Sequence, residues 1–244
     1  MQTRFYIISG LAVIVSFAGG FLLANSLNRA EIVALQANQV QSNNAVPAPA
    51  QSARDAELSD REIEQKLAEA ERNATDFAFQ KGLGLGLYRY AAFKKDRERL
   101  KDVETLLNRA HSLNPDDYQV LVAFANVNFD LGQINSDEKL NQKARELYRA
   151  ALRKNPKDAQ VLGDMGTTYI ETGSPDARTA LGFLERSYAS DSRNEKVVIE
   201  LIKAHKLIGN SDRAGEFILK LKELNPKNPE IGRLEAELET GGGK

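Results

Sequence analysis

Cysteine is absent from this chain, and histidine occurs only twice. Without a thiol the protein forms no disulfide, takes no lipid on an N-terminal cysteine and attaches no c-type haem. Neither His111 nor His205 has a second histidine or a cysteine at metal-ligand spacing. His111 falls at the end of a helical pattern, where its charge suits the helix dipole. His205 lies between Lys203 and Lys206. An excess of either charge is also lacking: 33 Lys and Arg face 34 Asp and Glu, a net of −1. That balance excludes the basic footprint of a nucleic-acid binder and the acidic tail that would hold a charged client. The one glycine run, Gly82-Leu-Gly-Leu-Gly86, lacks the full phosphate-loop spacing, follows no strand pattern and sits inside a helical one. No catalytic, cofactor-binding or metal-ligating residue is assigned, and the chain is not read as an enzyme.

What is present is a period. Breaks at Leu113-Asn114-Pro115, Lys154-Asn155-Pro156, Ser190-Asp191-Ser192 and Leu224-Asn225-Pro226 follow a degenerate one at Arg72-Asn73-Ala74. The intervals from Ala74 to Pro115, Pro156, Ser192 and Pro226 are 41, 41, 36 and 34 residues. Three further markers keep this register. A small residue recurs as Gly84, Ala125 and Gly166, then lapses to Ile202. A large apolar one recurs as Leu107, Tyr148, Leu184 and Ile218, followed by Ala110, Ala151, Ser187 and Leu221. Gly132, Gly173 and Gly209, with Ala91 before them, mark the turn within each helix pair. A small side chain lets one helix approach another, and a large one fills the groove opposite. Such a period marks an array of helix pairs.

From Ser59 to Glu239 the chain resembles the tetratricopeptide repeat. The resemblance is best at Val161-Leu-Gly-Asp-Met-Gly-Thr-Thr-Tyr-Ile-Glu-Thr-Gly173, through Met165, Gly166, Tyr169 and Gly173. The first-helix tryptophan of that family is missing, with Leu121, Leu162 and Val198 in its place. The second-helix Ala–aromatic–Ala series survives whole as Ala144, Tyr148 and Ala151. The expected fold is all-α: an N-terminal transmembrane helix, then an α-solenoid of about four helix pairs, with one helix before them and a capping helix after. The expected divisions are an N-terminal cytoplasmic stub at 1–4, a transmembrane helix at 5–27, a linker at 28–57, the repeat domain at 58–240 and a tail at 241–244.

The first two repeats run longer than the last. The surplus falls between the intra-pair turn and the second helix, and about seven residues make two helical turns. Leu140, Ala144, Leu147, Tyr148 and Ala151 keep one apolar face in phase. Lengthened second helices are therefore expected, with a polar loop as the alternative. Ser59-Asp60-Arg61-Glu62 is a capping box that opens a helix through Ile63 and Leu67. Ser174-Pro175, Asn135 with Ser136, and Ser211 read as starts of second helices. A last helix from Pro229 to Thr240 is expected to cover the final pair.

Phe5 to Ala24 carries no charge, and Leu27 extends the stretch. Twenty helical residues span about 30 Å, a bilayer core. No small-x-small cleavage site follows, so an uncleaved anchor is preferred to a signal peptide. Arg4 before the span, against Arg29 and Glu31 after it, gives a small charge bias that favours the N-terminus in the cytoplasm. In a bacterium the repeats would then be periplasmic, on a single pass through the inner membrane. Ala12, Ser16, Gly20 and Ala24 form a small-residue stripe suited to a partner transmembrane helix or a second copy of the chain. The alternative is that small residues are simply common in membrane helices. The linker holds Ala45-Val-Pro-Ala-Pro-Ala50 and has no apolar period. Its flexible part reaches roughly 20–25 Å, which keeps the repeats near the lipid bilayer.

In tetratricopeptide proteins the first helices line a groove that takes a protein or peptide partner. The resemblance places Lys81, Leu85, Tyr88 and Arg89 there from the first pair, and Gln119, Val122, Asn126 and Phe129 from the second. Gln160, Asp164, Thr167 and Ile170 follow from the third pair, and Lys196, Ile199, Lys203 and Lys206 from the fourth. The family's carboxylate clamp for chaperone tails is matched only by Lys81; Leu85, Ala123, Gln160 and Asp164 occupy its other places. An extended or helical peptide with apolar anchors fits this mixture better. The alternative is that some of these residues cover the next repeat. The resulting expectation is a membrane-anchored adaptor serving secretion, envelope assembly or cytochrome c maturation. A self-associating structural module is the alternative.

Overall fold

The protein is described here by a computed structural model covering residues 59–241. The expected span, its small-residue stripe and the linker lie outside the described residues. Ten helices and no strand are found among the latter. They are α1 (Asp60–Arg72), α2 (Phe77–Lys94), α3 (Leu100–Leu113), α4 (Tyr118–Asn135), α5 (Glu138–Lys154), α6 (Ala159–Ile170), α7 (Ala177–Ser190), α8 (Glu195–Leu207), α9 (Ser211–Leu224) and α10 (Ile231–Gly241). The helices from α2 to α9 make four pairs, with α1 before them and α10 after. No helix among the described residues is long and apolar enough to cross a membrane. The chain divides into two compact units between Val127 and Asn128, inside α4.

In the first unit the capping box forms as its residues suggest. Glu62 N–H donates to Ser59 Oγ, and Ser59 N–H donates to Glu62 Oε2 at 2.8 Å. The small–large pairing of α2 with α3 is also visible: a β-carbon on Gly84 would stand 2.9 Å from Leu107 Cδ2. Leu83, Leu87, Val103, Leu106 and Ala110 are buried with them. Buried Gln80 ties α1 to α2 by donating to the carbonyls of Ala70 (2.7 Å) and Asn73 (3.0 Å). Arg109 pairs with Glu71, and Arg99 with Glu64, so α3 also holds α1.

The second unit packs α5 to α10 behind the end of α4. Gly166 is pressed against Leu184, whose Cγ a β-carbon would meet at 2.6 Å. Ser187 Oγ donates to the carbonyl of Ala159 at 2.6 Å, pinning α7 to the start of α6. Val197, Val198, Leu201, Ile202, Phe217, Ile218 and Leu221 form a buried cluster, which Ile231 and Leu234 of α10 complete.

The surplus residues are not where the sequence reading puts them. The first helices take most of it: α2 and α4 have 18 residues each, against 12 in α6 and 13 in α8. Among second helices only α5 is longer, with 17 residues against 14 in α3, α7 and α9. Ala91 and Gly132, read as turn residues, are buried inside helices. Gly132 is small because Asn141 crosses it: a β-carbon there would stand 2.3 Å from Asn141 Oδ1. The chain instead turns just beyond α2 at Lys95 (φ 56°) and beyond α4 at Ser136 (φ 53°). Of the turn glycines only Gly209 has a positive φ, at 75°. The caps shift as well. Asp137 caps α5, Asp176 caps α7 and Asn210 caps α9, each accepting a backbone N–H of the first turn. Carboxylate or amide oxygens thus replace the expected Ser136, Ser174 and Ser211. At the C-terminus, α10 starts at Ile231 and reaches Gly241, one residue into the expected tail.

Candidate interaction groove

On α2 the positions Lys81, Leu85, Tyr88 and Arg89 recur at helical spacing, and all four are half-buried. On α4 Gln119 is exposed, while Val122 and Asn126 are half-buried. Lys81 Nζ lies 2.7 Å from Asp117 Oδ2 and 5.8 Å from the Phe77 ring centroid. Asp117 also accepts the backbone N–H of Val120, so one carboxylate both starts α4 and holds the lysine. Burial would raise that carboxyl, but Lys81 and the backbone N–H groups of Val120 and Gln119 outweigh it and hold the group below its ordinary range.

In the second unit Gln160 is exposed and Ile199 half-buried. Lys196, 60% exposed, lies 2.8 Å from Asp164 Oδ1. Lys203 bridges Glu171 (3.2 Å) and Glu200 (2.7 Å), and Lys206 pairs with Glu237 of α10. The lysines at this end are therefore neutralised. Sequence reasoning missed Asp117, Glu171, Glu200 and Glu237 as their partners. A usable signal exists: apart from Glu200, each partner stands roughly one repeat from its lysine. Glu200 is buried, and its second oxygen finds no donor. Burial raises its carboxyl above the ordinary value, against the pull of Lys203.

Four positions read as groove-facing are buried: Phe129 (8% exposed), Asp164 (9%), Thr167 (2%) and Ile170 (7%). Thr167 Oγ1 donates to the carbonyl of Gly163 within its own helix, and Ile170 belongs to the core cluster around Leu201. They offer a partner little surface, and Phe129 is not an exposed counterpart of Tyr88.

Each histidine lies against an aromatic ring. The ring of His205 is 5% exposed and stacks on Phe217 at 5.6 Å and 15°; neither of its nitrogens has a hydrogen-bond partner. His111 lies 5.7 Å from the Phe124 ring. Among the described residues no group of three or more His, Asp or Glu could hold a metal ion. A cleft of about 710 Å³ opens in the second unit beside Gln133, Glu138, Arg145, Tyr169 and Thr172. Its polar groups satisfy one another. Arg145 donates to the Thr168 carbonyl and to Glu138, and Glu138 accepts Asn141 and Thr172 as well.

The described residues therefore define an all-α helical-repeat protein with mixed polar and apolar rows on its first helices. No family model matches the chain, and no curated protein sequence matches it either. Solved structures do match, and two of them are tetratricopeptide proteins. A repeat protein of Parabacteroides merdae aligns with a TM-score of 0.57 at 16% identity over 91% of this chain and 74% of its own. A thermophilic one of Thermus thermophilus aligns at 0.56 and 15% over 88% and 98%. The protein MamA aligns at 0.55 and 15% over 67% and 83%. At such identities the likeness is one of fold alone.

Proposed function

We propose that this chain is a membrane-anchored scaffold that holds a partner polypeptide beside the inner membrane of a bacterium, with its repeats in the periplasm. Secretion, envelope assembly and cytochrome c maturation are the processes such an architecture suits. The observation that carries the reading is the row of half-exposed side chains on first helices, Lys81, Leu85, Tyr88 and Arg89 above all, in a fold shared with tetratricopeptide proteins. The uncharged stretch Phe5–Ala24 supports the anchor.

The test places a photo-crosslinking residue at Tyr88, Gln119, Gln160 or Lys196 in the full chain in cells, with Thr105 and Glu223 on second helices as controls. Adducts with another polypeptide from the first four positions alone are the expected result. Adducts only between copies of the chain would favour the self-associating module, and none at all would refute the scaffold. Protease added to spheroplasts should digest the repeats; their protection would reverse the orientation.

A further inference from the structure

The turn between α2 and α3 has a composition the groove does not use. Phe93 ends α2 with its side chain 57% exposed, and Lys94 lies over its ring at 6.0 Å. From Phe93 to Lys101 the chain carries Lys94, Lys95, Arg97, Arg99 and Lys101 against Asp96 and Glu98. Tyr90 stands half-buried one turn before Phe93.

Apart from exposed Glu98, the acids nearby are engaged. Asp60, Glu64 and Asp102 bind the Arg99 guanidinium at 3.3, 2.6 and 3.3 Å. Asp96 accepts the backbone N–H groups of Glu98 and Arg99. Glu62 is held in the capping box with Ser59. Lys95, Arg97 and Lys101 make no ion pair among the described residues and are exposed. The result is a turn that carries three exposed, unpaired cations within eight residues of an exposed aromatic. That is the chemistry of a protein surface resting on anionic lipid: the aromatic enters the headgroup boundary, and the cations meet the phosphates.

Position supports the same occupant. The Arg99–Asp60 and Arg99–Glu64 pairs hold the start of α1 against this turn. The start of α1, where the described residues begin, therefore lies at this turn. A tether from a membrane delivers this end of the unit first.

We infer that the α2–α3 turn, through Phe93, Lys95, Arg97 and Lys101, docks on an anionic lipid surface. This rests on the anchor reading above. The absence of native cysteine makes the test direct. The full chain, as Phe93→Cys carrying an environment-sensitive fluorophore, is reconstituted into vesicles of phosphatidylcholine alone or mixed with phosphatidylglycerol. Thr75→Cys is the control: it is exposed in the α1–α2 turn, at the far end of an 18-residue helix, about 27 Å away.

Label at 93 should shift to the blue and become several-fold less open to iodide in the phosphatidylglycerol vesicles only. Label at 75 should remain open in both. Lys95→Glu, Arg97→Glu and Lys101→Glu should each weaken the protection by about fivefold or more at low salt. Retention of the chain in the vesicles after carbonate washing reports the anchor separately. A retained chain whose label at 93 stays equally open to iodide in both vesicles would overturn the inference alone and leave the turn to an acidic protein partner. Loss of the chain on washing would overturn both readings.

Discussion

Gly166 and Leu184 divide one space between them. A β-carbon on the glycine would lie 2.6 Å from Leu184 Cγ and 3.3 Å from the Ala180 carbonyl oxygen. The leucine is fully buried and the carbonyl belongs to a helix, so neither gives way cheaply. Gly166→Ala should therefore cost about 1–3 kcal/mol by overpacking. Gly173→Ala, with nothing within 4 Å of its β-carbon, should cost far less. Equal denaturation midpoints for the two variants would show that this contact does not set the register. His205 makes a pH prediction. Burial, helped by Arg213, holds its pKa below the ordinary 6.5. Below that value the unfolded chain binds the proton that the folded chain refuses, so stability rises with pH in this window. The stability is whole above about pH 6.5 and lost as pH falls toward the depressed folded value. Glu200 slopes the other way: its raised carboxyl keeps a proton longer when folded, so its contribution falls as pH climbs above 4.5. Urea unfolding between about pH 5 and 7.5 should show a shallower acid loss in His205→Leu than in the parent. A loss unchanged by that replacement would mean the imidazole is not the titrating group.

Helix length is decided by how each helix ends, and here the sequence was legible only in part. The number and order of helices follow from the Asn-Pro breaks and from Gly84–Leu107 and Gly166–Leu184, because those positions meet in the core. The ends of α2 and α4 did not follow. Ala91 and Gly132 keep step with Gly173 and Gly209, but only the later pair lies in a turn. Small residues serve close packing as well as turning, and the one-letter pattern does not separate the two uses. The groove was legible to a similar degree. The rows on α2 and α4 follow from helical spacing, whereas the acids that neutralise Lys196, Lys203 and Lys206 come mainly from neighbouring repeats. Burial of Phe129, Thr167 and Ile170 depends on what packs over them, which a single helix does not reveal. The true turn residues can be tested. Ser136 adopts φ 53° without being glycine, a conformation that costs an L-residue about 1–2 kcal/mol. Ser136→Gly should recover up to ~1 kcal/mol, since glycine also gains freedom when unfolded. Gly209→Ala should lose a similar amount, because its φ is 75°. Thermal melts moving together, instead of apart, would count against this account of the two turns.

At the scale of the molecule an array must stop without leaving an apolar face in water, and α10 does this for the second unit. Ile231 and Leu234 are 7% and 1% exposed within the cluster that holds Phe217, Ile218 and Leu221. Lys206 of α8 pairs with Glu237, and Lys222 of α9 lies 2.6 Å from Glu235, so both preceding helices fasten the cap. Asn225 and Asn228 both donate to Glu195, which fixes the turn leading into it. At the place where a further helix pair would put its large and small packing residues, α10 carries Gly232 and Ala236, both exposed, with Arg233 beside them. Nothing large and apolar faces outward there, so the cap ends the packing instead of inviting another repeat. A chain ending at Asn228 removes Ile231 and Leu234, each worth about 1.5–3 kcal/mol of burial, and bares Phe217 and Ile218. In detergent this truncated chain should melt several degrees lower and sediment as oligomers, while the full chain sediments as one species under the same conditions. Leu234→Asp should reproduce both changes without shortening the chain, because a buried carboxylate without a partner is as disruptive as the missing helix. Should the truncated chain melt like the parent and stay monodisperse, the stability of α8 and α9 would have to come from their own pairing and their packing on α6 and α7. In that case α10 would be an appendage, with its ion pairs to Lys206 and Lys222 contributing as little as exposed pairs usually do.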